Sequence, residues 1–278
     1  MRVIDVKHLG TDRVIAAWEV DEVIVDPGPE SGLETLLAAR GTDEPPRALL
    51  LTHIHFDHAG AAGSLVRRWP SLEVYVHERG APHMADPERL VASATRLYSE
   101  EGMKRLWGEV VPVPEANLRV LSGGETVLDG AFRVEYTPGH ASHHVAYLHE
   151  ASGHALVGDV AGVRIPPSDL VVAPTPPPDI DIAAWERSLD LVAAWEPSSL
   201  GLTHFGLVED SRAQLEATRE ALHAQAALVG DHDMPGFVAA MQERVSAAAP
   251  GLVETYGQAV PWDHLYLGLD RWRAKFGG

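Results

Sequence analysis

Hydrophobic runs in the first 200 residues are short, and most of them end in turn-forming or polar residues. Short runs rich in Val, Ile, Leu and aromatic residues are typical of β-strands. Residues 48–51 are wholly apolar, which favours a strand buried on both faces. The pattern predicts strands over residues 13–20, 22–25, 48–51, 72–76, 118–121, 132–137, 145–148, 155–157 and 200–203.

Apolar residues at intervals of three and four predict helices between and after these strands. Ser31 with Glu34, and Ser211 with Gln214, have the spacing of a capping box, in which two side chains satisfy the first backbone amides of a helix. The predicted helices cover residues 31–41, 59–69, 86–107, 182–192, 211–229, 235–249 and 262–275.

The pattern changes near residue 210, because strands and helices alternate before it and only helices follow. We therefore predict a mixed α/β catalytic domain over residues 1–210 and a helical C-terminal region, residues 211–278, packed on it. A chain of 278 residues can bury a large core, with a folded surface of roughly 11,700 Å².

Composition narrows the possible partners. The chain has 22 Lys and Arg against 40 Asp and Glu, a net charge of −18, and no Cys. Such an acidic protein repels phosphate arrays, so we expect no nucleic-acid or membrane partner. The absence of Cys excludes disulfides and thiolate metal ligands. The N-terminus has an acid where a signal peptide needs an apolar run, and no stretch is apolar enough to span a membrane, so we expect a cytoplasmic protein. Composition leaves the oligomeric state open.

The candidate chemistry starts directly after the buried strand, where residues 52–60 read T-H-I-H-F-D-H-A-G. His53 and His55 are two residues apart at a strand end, so both can point to the same ion. Asp57 and His58 lie where the next helix begins, and the positive end of a helix favours a carboxylate. The spacing predicts a metal site.

Three more ligand-type side chains follow apolar runs. His140 ends the segment T-P-G-H, Asp159 follows Gly158, and His204 follows Thr203. Sites in sheet-containing folds are commonly built at strand ends, where a rigid scaffold stands behind the loops. Together with residues 53–58, these side chains predict one site assembled from four strand ends.

The order H-x-H-x-D-H, T-P-G-H, G-D and T-H resembles the metallo-β-lactamase superfamily over residues 1–210, including the turn at residues 26–28. The resemblance implies an α+β fold, a four-layer αββα metallo-β-lactamase sandwich with a helical C-terminal extension. It implies two divalent metal ions, zinc first and iron or manganese as alternatives; five imidazoles and two carboxylates suit these metals. Carried over, His53, His55 and His140 would bind one ion, Asp57, His58 and His204 the other, and Asp159 would bridge them.

Within the superfamily the chain resembles glyoxalase II and the lactonases. This implies a hydrolase that cleaves a thioester, lactone or related ester of a small molecule by attack of metal-bound hydroxide, with Asp57 as the candidate catalytic residue. The missing Cys disfavours the commonest β-lactamases, and the acidic charge disfavours the nucleases. The alternatives are a mono-iron persulfide dioxygenase using His53, His140 and Asp159, a phosphodiesterase, and a non-catalytic metal-binding protein. No substrate-binding residue is identified.

Several residues and segments outside the motifs have expected supporting roles. Asp26 is a candidate hydrogen-bond acceptor for a ligand imidazole. We expect His144 to be structural, and His143 is a candidate for the pocket wall. Residues 86–107 and the proline-rich residues 164–178 are predicted to roof the site and to set substrate choice.

Overall fold

The computed structural model describes residues 1–276, in which two six-stranded sheets pack face to face. In each sheet, strands that are consecutive in the chain are also neighbours in space. The first sheet contains β1 (Arg2–Asp5), β2 (Ala16–Val20), β3 (Val23–Val25), β4 (Ala48–Leu50), β5 (Val74–His77) and β6 (Leu118–Leu121). The second contains β7 (Thr126–Val127), β8 (Phe132–Tyr136), β9 (Val145–His149), β10 (His154–Gly158), β11 (Ser199–Leu202) and β12 (Gly206–Val208).

Both sheets mix parallel and antiparallel pairs. Strands β3 to β6 run parallel to one another, whereas β1, β2 and β3 pair antiparallel. In the second sheet, β10 and β11 are parallel and the other pairs are antiparallel. Parallel neighbours in one sheet end at the same edge, so the loops after β10 and β11 lie side by side at one edge of the second sheet.

Alternating side chains divide the core into layers. In β4, Ala48 and Leu50 belong to the core between the sheets, whereas Leu49 belongs to the core beneath the helices. The alternation follows from the two-residue repeat of a strand. It confirms the prediction that this run is buried on both faces.

Helices cover the outer face of each sheet and complete the four layers. Trp185 and Leu189, for example, are fully buried in the same core cluster as Val157 of β10. The helices are α1 (Leu33–Arg40), α2 (Phe56–Ala59), α3 (Ala62–Arg68), α4 (Ala81–Ala85), α5 (Glu88–Trp107), α6 (Ile182–Ala194), α7 (Ser211–Asp231), α8 (Met234–Ala248), α9 (Val253–Ala259) and α10 (Trp262–Phe276).

The predicted αββα architecture with its helical C-terminal part is confirmed. The accessible surface of 11826 Å² agrees with the expected value. The predicted pattern lacked the edge strands β1 and β12 and the two-residue β7, all of which are short. An edge strand forms backbone hydrogen bonds with a neighbouring strand on one side only. Because these strands are also short, few apolar positions mark them in the sequence.

Both predicted capping boxes are wrong. The Ser31 hydroxyl donates to the carbonyl of Leu106, and α1 begins at Leu33 after a 3₁₀ turn. The cap of α7 is Asp210, whose carboxylate accepts from the amide of Ala213, and Gln214 instead donates to a backbone carbonyl elsewhere. A distant partner outcompeted the local capping bond in each case.

Side chains of the C-terminal helix α7 form hydrogen bonds with the backbone of the loop that follows β10. Gln214 and Thr218 in α7 both donate to the carbonyl of Ala161, at 2.8 and 2.7 Å. Gln225 donates to the carbonyl of Ala173 and accepts from its amide, both at 2.8 Å. The division at residue 210 stays a prediction, but these bonds join the two parts.

Residues 171–175 lie in the protein interior. This part of the proline-rich segment therefore differs from the expected roof. The backbone of Ala173 bonds to Gln225 of α7, and the Thr175 hydroxyl donates to the carbonyl of Leu265 in α10, so the segment connects the C-terminal helices to the second sheet.

No helix within residues 1–276 has the length and apolar character needed to cross a bilayer.

Candidate metal centre

The seven predicted ligand side chains come together at the strand ends. His53 and His55 lie in the loop after β4, and Asp57 and His58 lie in α2. His140 follows β8, Asp159 directly follows β10, and His204 lies two residues beyond β11. They form two groups whose ligand-type atoms lie within 4.8 Å of one another: His53, His55, His140 and Asp159 in the first, and Asp57, His58 and His204 in the second.

In the first group, three imidazole nitrogens and one carboxylate oxygen converge. His55 Nδ1 lies 3.0 Å from His53 Nε2 and 3.1 Å from His140 Nε2. His140 Nε2 lies 3.3 Å from Asp159 Oδ2. Nitrogen atoms of three buried or half-buried imidazoles at these separations give the geometry of a metal-ligand set.

The second group meets the other oxygen of Asp159. Asp159 Oδ1 lies 3.3 Å from His58 Nε2 and 3.6 Å from His204 Nε2. His204 Nε2 also lies 3.3 Å from Asp57 Oδ2. The Asp159 carboxylate therefore stands between the two groups, with one oxygen facing each.

Four of the five imidazoles point Nε2 into the site because Nδ1 is held by an acceptor. His140 Nδ1 donates to the carbonyl of Pro174 at 2.8 Å, and His204 Nδ1 donates to the carbonyl of Val14 at 2.6 Å. A carbonyl can only accept, so these rings carry the proton on Nδ1 and leave Nε2 with a free lone pair.

Asp26 orients the other two of these four rings, directly that of His58 and through Thr52 that of His53, as expected from the sequence. His58 Nδ1 lies 2.8 Å from Asp26 Oδ2. The Thr52 hydroxyl donates to the same oxygen at 2.7 Å, and its own oxygen lies 3.1 Å from His53 Nδ1. The Thr203 hydroxyl also donates to Asp26, at 3.1 Å. One buried carboxylate thus fixes ligands from both groups.

His144 has the predicted structural role. Its Nε2 accepts from the backbone amide of Asp159 at 3.3 Å, and its Nδ1 lies 2.8 Å from the Thr137 hydroxyl. Fully buried between these groups, the ring positions the Asp159 backbone. His143 lies beside the first group, with its ring 5.6 Å from that of His55, and its place in a pocket wall stays a prediction.

The charges of the two groups differ. Burial lowers the pKa of His53 well below its usual value, and burial with the nearby His140 lowers the pKa of His55 to about 4. For His58, burial is outweighed by Asp159, Asp57 and Asp26, which raise its pKa. Without bound ions, the imidazoles of the first group are therefore neutral, whereas that of His58 in the second group holds a proton next to the carboxylates.

Two buried atoms of the site have no hydrogen-bond partner in residues 1–276, His58 Nε2 and Asp159 Oδ1. They face each other at 3.3 Å without hydrogen-bond geometry. Buried polar atoms are almost always paired, and an imidazole nitrogen and a carboxylate oxygen that both lack partners are the donor types of a metal site. The site residues therefore fit the group that the sequence predicts.

The sequence did not reveal the backbone carbonyls of Val14 and Pro174, since every residue has a carbonyl and none is distinguished by type. His8 is also near the site and was not singled out. It is buried, and the charges of Asp57 and His204 act on its ring. No motif surrounds His8, so only the fold identifies it.

The fold and the paired groups define a class of αββα sandwich proteins with a His- and Asp-rich site for divalent metals. The chain belongs to the metallo-β-lactamase superfamily, whose sequence pattern matches residues 19–204. This confirms the resemblance inferred from the motifs.

Individual relatives agree with this assignment. The metallo-beta-lactamase fold-containing protein ST1585 of Sulfurisphaera tokodaii is 32% identical over 179 residues, which are 58% of this chain and 60% of that protein. A hydroxyacylglutathione hydrolase of Xanthomonas euvesicatoria is 33% identical over 137 residues, 49% of this chain and 40% of the enzyme. The chain thus spans about half the length of these curated relatives.

Solved structures show the same fold. The alignment with the crystal structure of ST1585 has a TM-score of 0.61 at 24% identity. It covers 76% of this chain and 81% of the ST1585 chain. The alignment with the crystal structure of TTHA1623 in a di-iron-bound form has a TM-score of 0.51 at 29% identity. It covers 70% of this chain and 89% of the TTHA1623 chain.

Proposed function

We propose that this protein is a dinuclear metal-dependent hydrolase that cleaves a thioester, lactone or related ester of a small molecule. The observation that carries the proposal is the position of Asp159, whose two oxygens each lie 3.3 Å from an imidazole nitrogen of a different group. A carboxylate in this position can bridge two ions, which is the arrangement of two-metal hydrolytic sites.

The proposed ligands are those implied by the sequence. His53, His55 and His140 would hold one ion, Asp57, His58 and His204 the other, and Asp159 both. Zinc is the proposed metal, because imidazole nitrogen predominates in the donor set. The relative TTHA1623, in its di-iron-bound form, supports occupancy by two ions and makes iron the alternative.

Bound divalent ions would lower the pKa of a water molecule and polarise the substrate carbonyl. The protein's own contribution is orientation. Burial disfavours a charge on Asp57, but the nearby His58 and His204 outweigh it and hold the pKa of its carboxyl below the usual range. Asp57 is therefore ionised at neutral pH, and its partly exposed carboxylate can accept a hydrogen bond from an attacking water molecule and direct it.

The ester substrate is supported by the hydroxyacylglutathione hydrolases among the relatives, which are 33% identical over about half of this chain. A phosphodiester is disfavoured by the net charge of −18, which opposes approach of a phosphate.

The test combines metal analysis with a substrate panel. For the purified protein we expect two ions per chain and hydrolysis of an acyl thioester or a lactone, but not of a bis-aryl phosphodiester, which is the substrate of the phosphodiesterase alternative. In His58→Gln we expect one ion to be lost and activity to fall by on the order of 100-fold or more, because the second group loses a ligand. Elemental analysis and initial rates measure both effects.

His232→Gln is the matched control, since His232 is exposed on the turn after α7 and outside both groups. It should keep both ions and full activity. Retention of both ions by His58→Gln would contradict the ligand assignment. A single iron per chain, with oxygen consumed in the presence of a persulfide and no ester cleaved, would replace the hydrolase by the dioxygenase alternative.

A further inference from the structure

Hydrogen bonds link an aspartate, a histidine and a serine at the edge of the sandwich opposite the metal centre. His149 Nε2 lies 3.1 Å from Asp21 Oδ2, and His149 Nδ1 lies 2.8 Å from the Ser152 hydroxyl oxygen. We call these three residues the Ser152 triad. A carboxylate, an imidazole and a hydroxyl joined in this order are the parts of a serine nucleophile with its general base, which is recognised by geometry rather than by sequence position.

The Ser152 triad is separate from the metal centre. His149 ends β9 and Ser152 lies in the turn before β10, whereas the ligand Asp159 follows the other end of β10. Strand β10 has five residues, so its ends are about 15 Å apart at roughly 3.3 Å per residue. Asp21 lies in the turn between β2 and β3. The triad therefore joins the two sheets on the side away from the ligands.

The imidazole of the triad is buried, whereas its two partners are open to solvent. His149 is 5% exposed, and its ring contacts that of Phe132 at 5.0 Å between centroids. Its backbone pairs with Phe132 and His154 in the neighbouring strands. Ser152 is exposed, and the side chain of Asp21 is 66% exposed. The base is therefore held in place, and the hydroxyl can be reached by a small molecule.

The hydrogen bonds fix the direction of proton transfer. A carboxylate only accepts, so the neutral His149 ring carries its proton on Nε2 and its lone pair on Nδ1. The Ser152 oxygen also accepts from the amide of His154 at 3.4 Å, so its own hydrogen can point to Nδ1. This nitrogen can take the hydroxyl proton when the oxygen attacks, and the Asp21 carboxylate would stabilise the imidazolium that results.

The turn that carries Ser152 is held by hydrogen bonds and leaves two amides free. The amide of Gly153 donates to the carbonyl of His149 at 2.9 Å, and the Ser198 hydroxyl donates to the carbonyl of Ser152 at 3.0 Å. Within residues 1–276 the amides of Ala151 and Ser152 donate to no acceptor. The amide of the nucleophile itself is a usual donor to the oxyanion in acyl transfer.

A second histidine of the same hairpin provides a comparison. His154 Nδ1 lies 2.6 Å from the Ser199 hydroxyl oxygen and 3.1 Å from that of Ser198. Ser199 is buried, and in the described part of the chain no carboxylate contacts the His154 ring. Ser198 is exposed, but its imidazole partner is not oriented by an acid. Ser152, and not Ser198, therefore combines an exposed hydroxyl with an oriented base.

We propose that the Ser152 triad is a second reactive site, independent of the proposed metal-dependent hydrolysis, in which Ser152 attacks small uncharged esters. Attack forms a bond between Ser152 Oγ and the acyl carbon and passes the hydroxyl proton to His149 Nδ1. The bond between the acyl carbon and the ester oxygen then breaks, and the leaving alcohol takes that proton. Water activated by the same ring hydrolyses the acyl-serine and restores the hydroxyl. The net charge of −18 disfavours an anionic substrate.

The test uses an uncharged fluorophosphonate on the intact, metal-loaded protein. Labelling forms a bond between Ser152 Oγ and phosphorus, breaks the phosphorus–fluorine bond and passes the hydroxyl proton to His149. Peptide mass spectrometry locates the label, and its time course gives a second-order rate constant. We expect labelling of Ser152, with Ser198 labelled about tenfold more slowly or less. Ser152→Ala should abolish the label, and Ser198→Ala, the matched control, should keep it.

Two further variants test the base and the acid. His149→Gln should lower the rate constant for labelling by about 100-fold or more, because the base is lost. Asp21→Asn should lower it by about tenfold or more, because the amide carries no charge to stabilise the imidazolium. Asp21 has a φ of +49°, which asparagine adopts readily, so this variant keeps the turn and remains decisive if His149→Gln fails to fold.

His58→Gln separates this site from the metal centre. Its labelling rate should equal that of the unmodified protein, because His58 belongs to the second ligand group. Its remaining hydrolysis of 4-nitrophenyl acetate should fall by about tenfold or more when Ser152→Ala is added. The triad would be overturned by a label absent from Ser152, by a labelling rate that Asp21→Asn leaves unchanged, or by loss of the label in His58→Gln.

Discussion

At the residue scale, the site depends on close approaches that leave no room for larger side chains. Gly158 ends β10 directly before Asp159 and has a φ of +48°. A Cβ atom there would overlap the Thr52 hydroxyl and lie 2.8 Å from His144 Nε2. Those two groups hold Asp26 and the Asp159 backbone, so Gly158 is required both by its own conformation and by the hydrogen bonds around it.

Replacing this glycine should therefore cost more than backbone strain alone. We expect Gly158→Ala to lower the free energy of unfolding by about 3 kcal/mol, from a strained φ plus displacement of Thr52 and His144. Gly41→Ala is the control, because Gly41 also has a positive φ of +71° but open space around its Cβ position. Its expected loss is about 1 kcal/mol.

Urea unfolding curves of the two variants measure this difference. Equal losses for Gly158→Ala and Gly41→Ala would show that packing around Gly158 contributes nothing. Metal content should also fall in Gly158→Ala and stay constant in Gly41→Ala.

At the scale of secondary-structure elements, the side chain that caps a helix in this protein depends on which donors and acceptors lie close in space, and not on the sequence motif alone. Asp210 caps α7 by accepting from the Ala213 amide at 3.0 Å. The neighbouring Ser211, expected to be the cap, donates to the carbonyl of Pro197 at 3.1 Å. The long helix α5 is interrupted by non-helical backbone at Ser99, and the nearby Leu97 is 43% exposed.

The cap assignment can be tested on stability. Asp210→Ala should lower the free energy of unfolding by about 1 kcal/mol, because the first turn of α7 loses its side-chain acceptor. Asp210→Asn should keep most of the stability, since an amide oxygen caps equally well.

Glu209→Ala controls for charge, as it removes an exposed acid next to the cap but no hydrogen bond to the helix. Thermal unfolding distinguishes the variants. A loss in Glu209→Ala as large as that in Asp210→Ala would mean that charge near the helix end, rather than capping, stabilises α7.

At the scale of the whole molecule, the C-terminal helices share one core with the sheets. Leu215 and Leu222 of α7, Phe237 of α8 and Leu265 of α10 are buried in the same cluster as residues of both sheets. Gln225 holds the backbone of Ala173, next to the Pro174 carbonyl that orients His140. The helical region is thereby connected to a proposed metal ligand by a short chain of hydrogen bonds.

A chain that ends at residue 210 should for this reason fail to fold into a stable, metal-binding unit. Removing the helices exposes the apolar cluster beneath α7 and leaves the carbonyls of Ala161 and Ala173 without their side-chain donors. Circular dichroism, unfolding curves and metal analysis of residues 1–210 measure the effect.

Co-expression of residues 211–278 as a separate chain is the matching control, because it restores the same contacts without the peptide link. We expect it to recover folded protein that binds metal. Cooperative unfolding and full metal content of residues 1–210 alone would instead establish an independent domain.

The sequence by itself determined the class of fold and the seven candidate ligands. Metal ligands must be particular residue types, and these types follow apolar strands at short, fixed spacings, so His53, His55 and Asp57 are visible in nine consecutive letters. Tertiary structure alone decided what surrounds them. The carbonyls of Val14 and Pro174 orient two rings, and any residue could have supplied a carbonyl. The rings of His8 and His264 likewise pack against Trp107 and Tyr98 of α5, because packing selects neighbours by position in space rather than by position in the chain.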